Sequence, residues 1–140
     1  GYRTPLALAA ATACVLGIDP APLAGFAALP GRMASRREGN LLIVDNANSG
    51  TNVETTVEAA RYARALAGNG ALTLVIGEEA RAICEGFSPE DIARAVSAVG
   101  PTATVYVGEG HEAATLDEGL TQARNITPSG AIVLAVKTWR

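Results

Sequence analysis

Runs of consecutive apolar residues alternate with amphipathic segments along most of the chain. A short run that is apolar at every position predicts a strand buried on both faces of a sheet. Apolar residues spaced three and four apart predict a helix with one buried stripe. The predicted strands are Leu41–Val44, Leu72–Ile76, Thr104–Val107 and Ala131–Val136. The predicted helices are Val53–Ala67, a segment that begins at Ser88-Pro89 and carries Ile92, Val96 and Val99, and Leu116–Ala123.

A polar segment precedes the first buried run. Met33–Glu38 predicts a short, exposed edge strand, and Gly39-Asn40 predicts the turn that follows it. After residue 40 strands and helices alternate, which is typical of a mostly parallel sheet with helices on both faces. The pattern therefore predicts an α/β protein, Rossmann-like, with a mostly parallel sheet flanked by helices.

The first 29 residues have a different pattern. Leu6–Leu16 is apolar but too short to span a bilayer, and it predicts a buried helix. Asp19-Pro20 begins a second short helix that ends near Ala28. Leu29-Pro30-Gly31-Arg32 then breaks the pattern. We expect a helical segment at 1–29 and an α/β domain at 30–140.

Composition narrows the function classes. Hydrophobic residues make up 49% of the chain and aromatic residues 4%, so the core must come from Ala, Val, Leu and Ile. The formal net charge is −3 with no basic patch, which argues against a nucleic-acid partner. Cys14 and Cys84 form no CxxC pair, so we expect buried thiols, no structural zinc site and a cytoplasmic protein without a membrane partner.

The candidate chemistry lies where strands end, because ligands of open α/β sheets bind beyond the carboxyl ends of the strands. Two nucleotide motifs are absent from the sequence: the phosphate loop G-x-x-x-x-G-K-[ST] and a G-x-G-x-x-G turn after a strand. We expect the strand ends to lie near one edge of the sheet, although they need not share one site. They are Asp45–Asn52, Gly77-Glu78-Glu79, Gly108-Glu109-Gly110-His111 and Lys137-Thr138.

The loop after the first buried strand is the densest in polar side chains. Asp45 could accept two hydrogen bonds from a ribose diol. The hydroxyls and amides after it could bind a carboxylate or phosphate at the mouth of a helix. They are Asn46, Asn48, Ser49, Thr51 and Asn52. The alternative is a polar turn that only caps the helix at Thr51 or Asn52.

The remaining candidates have equally plain alternatives. Arg32 could stack on an adenine or pair with phosphate, or it could be a surface residue. Glu78 and Glu79, near Arg81 and Cys84, could bind a metal or a cationic group, or they could form a solvated helix start. Lys137 could contact an anionic substrate or be a surface charge. His111 has no Ser or Cys partner placed to make a triad, so no catalytic residue is assigned.

Two motifs together resemble a known family. Leu29-Pro30-Gly31-Arg32-Met33, followed by Ile43-Val44-Asp45-Asn46-Ala47-Asn48 and a helix, is similar to the junction between the central and C-terminal domains of Mur ligases and folylpolyglutamate synthetases. The resemblance covers essentially the whole chain. Residues 1–29 look like the helical end of the central ATPase domain or a linker, and 30–140 like the C-terminal domain.

The resemblance implies an ATP-dependent ligase that activates a carboxylate as an acyl phosphate for attack by a nucleophile. It implies that Arg32 contacts the nucleotide and Asp45 its ribose. It also implies that Asn48, Ser49, Thr51 and Asn52 face the incoming substrate. Asn46, Glu78, Glu79 and Lys137 join them as candidate substrate-binding residues on their residue types and their places at strand ends. ATP and Mg²⁺ would be bound mainly by the central ATPase domain of the same protein, and a small-molecule carboxylate would be the substrate. Asn46 replaces the family's usual Tyr or Ser, and Asn48 stands where many members have His.

Three sequence stretches refine the resemblance. D-N-A-N-S-G-T-N, G-E-E-A-R-A-I-C-E-G and K-T-W-R look closer to a divergent, archaeal-type branch than to the peptidoglycan ligases. The known member of that branch closes a ring in the synthesis of coenzyme F-430, a nickel tetrapyrrole. The alternatives are an amide ligase domain of the peptidoglycan or folylpolyglutamate type and a non-catalytic α/β module that binds a small molecule. As the sequence lacks a phosphate loop, the resemblance also implies that this chain is inactive alone.

Overall fold

A computed structural model describes residues 3–79 and 86–139 of the chain. A short 3₁₀ helix at Ala21–Gly25 separates the first helix from the first strand. In chain order the helices are α1 (Arg3–Val15), α2 (Val53–Ala67), α3 (Pro89–Val99) and α4 (Leu116–Ile126). The strands are β1 (Ala34–Glu38), β2 (Leu41–Asp45), β3 (Leu72–Glu78), β4 (Ala103–Val107) and β5 (Gly130–Lys137).

These strands form one five-stranded sheet in the order β1-β2-β5-β3-β4. The four strands from β2 onward are mutually parallel, and β1 pairs antiparallel with β2 at the edge. The predicted α/β fold with a mostly parallel sheet is therefore confirmed, and so is the exposed edge strand. Every residue of β2 is buried, as expected of a strand covered on both faces.

Two separate cores lie on the two faces of the sheet. Successive side chains of a strand point to opposite faces, so Val44 joins the core beneath α2 and α3, whereas its neighbour Ile43 joins the core beneath α4. The helix α2 contributes mainly small residues: Thr56, Ala59, Ala60 and Ala63. The spacing of Leu66 from Val53, Val57, Ala60 and Ala63 predicts that it lies on the same buried stripe, but it is 43% exposed. Small side chains on this face bring α2 close to the sheet and leave the longer leucine outside.

The predictions for the first 29 residues need correction. The helix α1 was expected to be buried, but Leu8 is 63% and Val15 is 86% exposed. Cys14, on the same helix, is also exposed rather than buried. The second helix is a single 3₁₀ turn that ends at Gly25, and none of its residues is buried. The reason is that both cores are built from residues after Met33, so nothing in them covers α1.

Two further expectations concern the chain as a whole. The division at residue 29 remains a prediction. Among the helices described, none is long and apolar enough to cross a membrane.

An ion pair ties the edge strand to α4 and gives a pH-dependent prediction. Arg124 Nη2 and Nε donate to the two oxygens of Glu38 at 2.8 and 3.1 Å, and Arg36 Nε donates to one of them at 3.0 Å. The hydrogen bond from Arg124, followed by that from Arg36, holds the pKa of Glu38 below its ordinary value of 4.5. The stabilisation is therefore present above the ordinary pKa and is lost as the pH falls through the lower, folded value.

We expect Glu38→Gln to lower the urea midpoint slightly at neutral pH, because the pair is solvent-exposed and exposed pairs contribute little. The difference in urea midpoint between Glu38→Gln and the unaltered protein should become smaller as the pH falls toward about 3, where carboxylates become protonated. Denaturation midpoints measured across that range test this. A gap that stays constant with pH would mean that the charge of Glu38 is not its cause.

Candidate functional site

The two motifs that the sequence singled out lie against each other. Gly31 has φ +72°, and a Cβ on it would lie 2.2 Å from the carbonyl oxygen of Ala47. The Gly31 carbonyl in turn accepts a hydrogen bond from Asn48 Nδ2 at 2.6 Å. The turn Pro30-Gly31-Arg32 is thus seated on the loop after β2, and only glycine permits this approach.

Asn48 connects the turn with its own loop. Its Oδ1 accepts hydrogen bonds from the backbone N–H of Gly50 at 2.8 Å and from Arg32 Nη1 at 3.1 Å. Its Nδ2 donates to the carbonyl of Asn46 at 3.1 Å, in addition to that of Gly31. Asn48 is only 6% exposed, whereas Arg32 is exposed. A buried amide therefore anchors an exposed guanidinium.

Three other polar residues of the loop, Asp45, Asn46 and Thr51, face inward. Asp45 is 5% exposed, and its Oδ1 accepts the N–H of Ala47 at 3.1 Å. Asn46 is 4% exposed and donates from Nδ2 to the carbonyl of Thr55 at 3.3 Å. Thr51 is fully buried, and its hydroxyl donates to the carbonyl of Asn46 at 2.8 Å. These side chains hold the loop in one conformation at the end of β2.

Asn52 begins α2. Its side chain accepts the N–H of Thr55 at 2.9 Å, and Thr55 Oγ1 accepts the N–H of Asn52 at 3.0 Å, which is a capping box. The capping alternative therefore holds for Asn52. Ser49 is half-buried at the tip of the loop. Whether Asn52 or Ser49 also faces a substrate remains a prediction.

A cavity of about 250 Å³ opens where the turn meets the loop. It brings together Arg32, Asn46 and Asn48 from the predicted set. Its remaining walls are residues that the sequence analysis missed: Pro5, Met33, Gly50, Thr55 and Glu58. Thr55 and Glu58 are three residues apart on α2, and this spacing puts them on one helix face, which is a signal that could have found them.

A second cavity, of about 180 Å³, lies on the other side of the α2 start. Thr51, Asn52 and Lys137 line it together with Arg94 and Asp91. Lys137 is only 6% exposed, and its Nζ donates to the carbonyl of Gly86 at 3.2 Å. The surface-charge alternative for Lys137 is therefore wrong, since this ammonium group is buried at the end of β5.

Glu78 and Glu79 line a third cavity, of about 480 Å³, together with Glu109 and His111. Glu78 Oε2 accepts the N–H of Phe87 at 2.7 Å. Glu79 accepts the N–H of Leu116, at the start of α4, at 3.2 Å and the hydroxyl of Thr138 at 2.6 Å. Both carboxylates therefore brace neighbouring segments.

His111, which the sequence left without a catalytic partner, stacks on Tyr106. Arg81 and Cys84 lie outside the described residues. The four strand ends do meet at one edge of the sheet, but they are shared among three cavities.

Known proteins resemble the chain in sequence and in fold. The family model described as "Coenzyme F430 synthetase CfbE, C-terminal domain" matches residues 35–138. The coenzyme F(430) synthetase of Methanosarcina acetivorans is 31% identical over 99% of this chain and 34% of its own length. The crystal structure of the MurF ligase from Thermotoga maritima in complex with ADP has a TM-score of 0.54 at 19% identity, over 94% of this chain and 33% of that one.

The chain thus spans about a third of the length of the relatives it matches. The MurF likeness supports the fold, a five-stranded sheet flanked by helices, and the sequence matches support the family. This chain belongs to the family of coenzyme F430 synthetase C-terminal domains.

Proposed function

We propose that this chain is the C-terminal domain of a cytoplasmic, ATP-dependent ligase that acts in coenzyme F430 biosynthesis. The reaction would activate a carboxylate as an acyl phosphate, which a nucleophile of the same molecule attacks to close a ring. The family match and the 31% identity to a coenzyme F(430) synthetase support the pathway. The resemblance to Mur ligases supports the acyl phosphate chemistry.

The observation that carries the proposal is the hydrogen bond between Arg32 and Asn48. It holds a guanidinium at the cavity formed by the Pro30-Gly31-Arg32 turn and the loop after β2. A guanidinium can pair with a phosphate through two hydrogen bonds or stack on an adenine ring. Asp45 stands at the base of the same loop, is 5% exposed and does not line this cavity. The family resemblance, rather than the cavity, is the ground for proposing it as the ribose contact. These groups suit the nucleotide side of a ligase site.

The phosphates themselves need a second binding element. The sequence contains no phosphate loop, and the chain is a third as long as its relatives. In the described part of the chain, no three His, Cys, Asp or Glu side chains gather into a group able to hold a metal ion. We therefore assign most of the ATP and Mg²⁺ contacts to a central ATPase domain of the full-length protein. This chain would contribute orientation and charge rather than the reacting groups.

The carboxylate substrate would enter on the α2 side. The cavity beside Asn52 offers the ammonium of Lys137 for an anionic group. The guanidinium of Arg94 in the same cavity is already paired with Asp91 at 2.7 Å. Glu78 and Glu79 line the neighbouring cavity, where their carboxylates would face an uncharged or cationic group of the same substrate. The exposed apolar side chains of α1, such as Leu8 and Val15, would pack against the central domain.

The first test is the activity of this chain alone. We expect the isolated chain to hydrolyse no ATP above background, because it lacks a phosphate-binding loop. Phosphate release measured with the isolated chain and with the full-length ligase checks this. Turnover by the isolated chain at ordinary enzyme rates would refute the assignment.

The second test is Asp45→Ala in the full-length protein. Loss of a hydrogen bond to a charged group costs about 1.5 to 3 kcal/mol, so the KM for ATP should rise about 10- to 150-fold. The matched control is Thr127→Ala, which removes a buried hydrogen bond to Thr73 at the opposite edge of the sheet. Both variants should lower the melting temperature, but only the first should change the KM for ATP. An unchanged KM in Asp45→Ala would favour the non-catalytic binding module.

A further inference from the structure

The side chain of Asn48 uses all of its hydrogen-bonding capacity inside the protein. A primary amide has two acceptor lone pairs and two N–H donors. In Asn48 the oxygen accepts from Gly50 N and Arg32 Nη1, and the nitrogen donates to the carbonyls of Gly31 and Asn46. Asn48 is also 6% exposed. Although Asn48 lines the cavity, neither a free donor nor a free acceptor of its amide is left for a substrate.

We propose that Asn48 is a positioning residue that acts through Arg32 and does not contact the substrate. This inference rests on the proposed function, since it takes Arg32 as the nucleotide contact. It changes the role that the family resemblance implied for Asn48. The amide holds the Pro30-Gly31-Arg32 turn on the loop after β2 and fixes the guanidinium at the cavity shared by both.

The chemistry of this position requires an amide. An aspartate would keep the two acceptor contacts but would set its second oxygen against the carbonyls of Gly31 and Asn46, which have only lone pairs to offer. A serine could still accept the N–H of Gly50, as short hydroxyls do in turns, but it is too short to hold Arg32. Asn48→Ser therefore removes the contact with Arg32, together with the amide N–H contacts to Gly31 and Asn46, while retaining one loop contact.

The expected effect on ATP binding comes from the conformational freedom of the Arg32 side chain. An arginine that is already anchored loses less conformational freedom when the nucleotide binds. Immobilising a flexible side chain on binding costs an amount equivalent to roughly a 2- to 12-fold change in affinity. We therefore expect Asn48→Ser to raise the KM for ATP about 3- to 10-fold, with little change in kcat or in the KM for the carboxylate substrate.

The experiment is a double-mutant cycle in the full-length ligase with Asn48→Ser, Arg32→Ala and both together. If Asn48 acts through Arg32, the double variant should have the same KM for ATP as Arg32→Ala alone, because the second change removes nothing further. Thr127→Ala serves as the control for a general loss of stability, since it weakens the fold away from this loop. Two results would overturn the inference: independent, multiplying effects of the two changes on the KM for ATP, or a rise confined to the KM for the carboxylate substrate.

A second measurement separates this inference from the proposed function. The guanidinium signals of Arg32 in ¹⁵N-edited NMR spectra report how firmly the side chain is held, whether or not nucleotide binds there. We expect these protons to exchange faster with water in Asn48→Ser than in the unaltered protein or in Thr127→Ala. If Arg32→Ala leaves the KM for ATP unchanged but exchange is faster in Asn48→Ser, the nucleotide role fails and the anchoring stands. Unchanged exchange in Asn48→Ser would refute the anchoring itself.

Discussion

Gly31→Ala is expected to separate the Pro30-Gly31-Arg32 turn from the loop after β2. The new Cβ would lie 2.2 Å from the carbonyl oxygen of Ala47, and a backbone atom in a buried loop cannot rotate away. The backbone at φ +72° is itself unfavourable for alanine by about 1 kcal/mol. Moving the turn away would break the hydrogen bond from the Asn48 amide to the Gly31 carbonyl, at a further cost of about 1 to 3 kcal/mol.

The combined loss in the free energy of unfolding should be about 2 to 4 kcal/mol. The full-length ligase should also lose ATP affinity, because the displaced turn carries Arg32 away from the cavity. We expect a KM for ATP at least tenfold higher, which corresponds to about 1.4 kcal/mol. Urea denaturation measures the first effect and steady-state kinetics measures the second.

Gly39→Ala is the matched control. Gly39 has φ +59°, but a Cβ there meets no atom within 4 Å. This substitution therefore carries the conformational cost of alanine at positive φ, about 1 kcal/mol, without the clash. Equal losses of unfolding free energy in the two variants would mean that the turn tolerates displacement. The close packing of Gly31 against Ala47 would then not be what holds Arg32 in place.

The layered part of the fold could be predicted because each of its signals is local. The run Leu41–Val44 is apolar throughout, as a strand covered on both faces requires. Ser88-Pro89 begins α3 as expected, with Ser88 Oγ accepting the N–H of Asp91 at 3.1 Å. By contrast, the strand order was not predicted. The insertion of β5 between β2 and β3 depends on contacts between residues far apart in the chain.

The sequence predicted which two segments form the site but not how their side chains are oriented. The sequence showed that Pro30-Gly31-Arg32 and Asp45–Asn52 are unusual, and the structure brings them together. Residue types alone could not show that Asn48 and Thr51 point inward, because an amide or hydroxyl serves a loop as well as a ligand. The exposure of α1 escaped prediction for a related reason. An apolar helix indicates that something covers it but not which segment, and neither core of the described chain does.

Gly77→Ala is expected to have the largest effect on stability. Gly77 lies in β3, opposite Val107 of β4, and a Cβ on it would lie 1.9 Å from the Val107 carbonyl oxygen. Its φ of +145° is a conformation that only glycine adopts without strain. Alanine would have to push the carboxyl ends of β3 and β4 apart, which breaks the pairing of the outermost strand β4 with the buried strand β3. We expect a loss of about 4 kcal/mol or more in the free energy of unfolding, among the largest for a single substitution.

The comparison that isolates this clash is Gly100→Ala, which follows α3 with φ +54° and no atom within 4 Å of a new Cβ. It should lower the free energy of unfolding by only about 1 kcal/mol. Urea denaturation of both variants tests the difference, and recovery of soluble Gly100→Ala but not Gly77→Ala would agree with it. Similar midpoints would mean that β4 can shift without loss. The spacing of the third cavity, between Glu78 and Gly108, would then not be fixed by the sheet, because Gly77 and Val107 are the residues that set how closely these two strand ends approach.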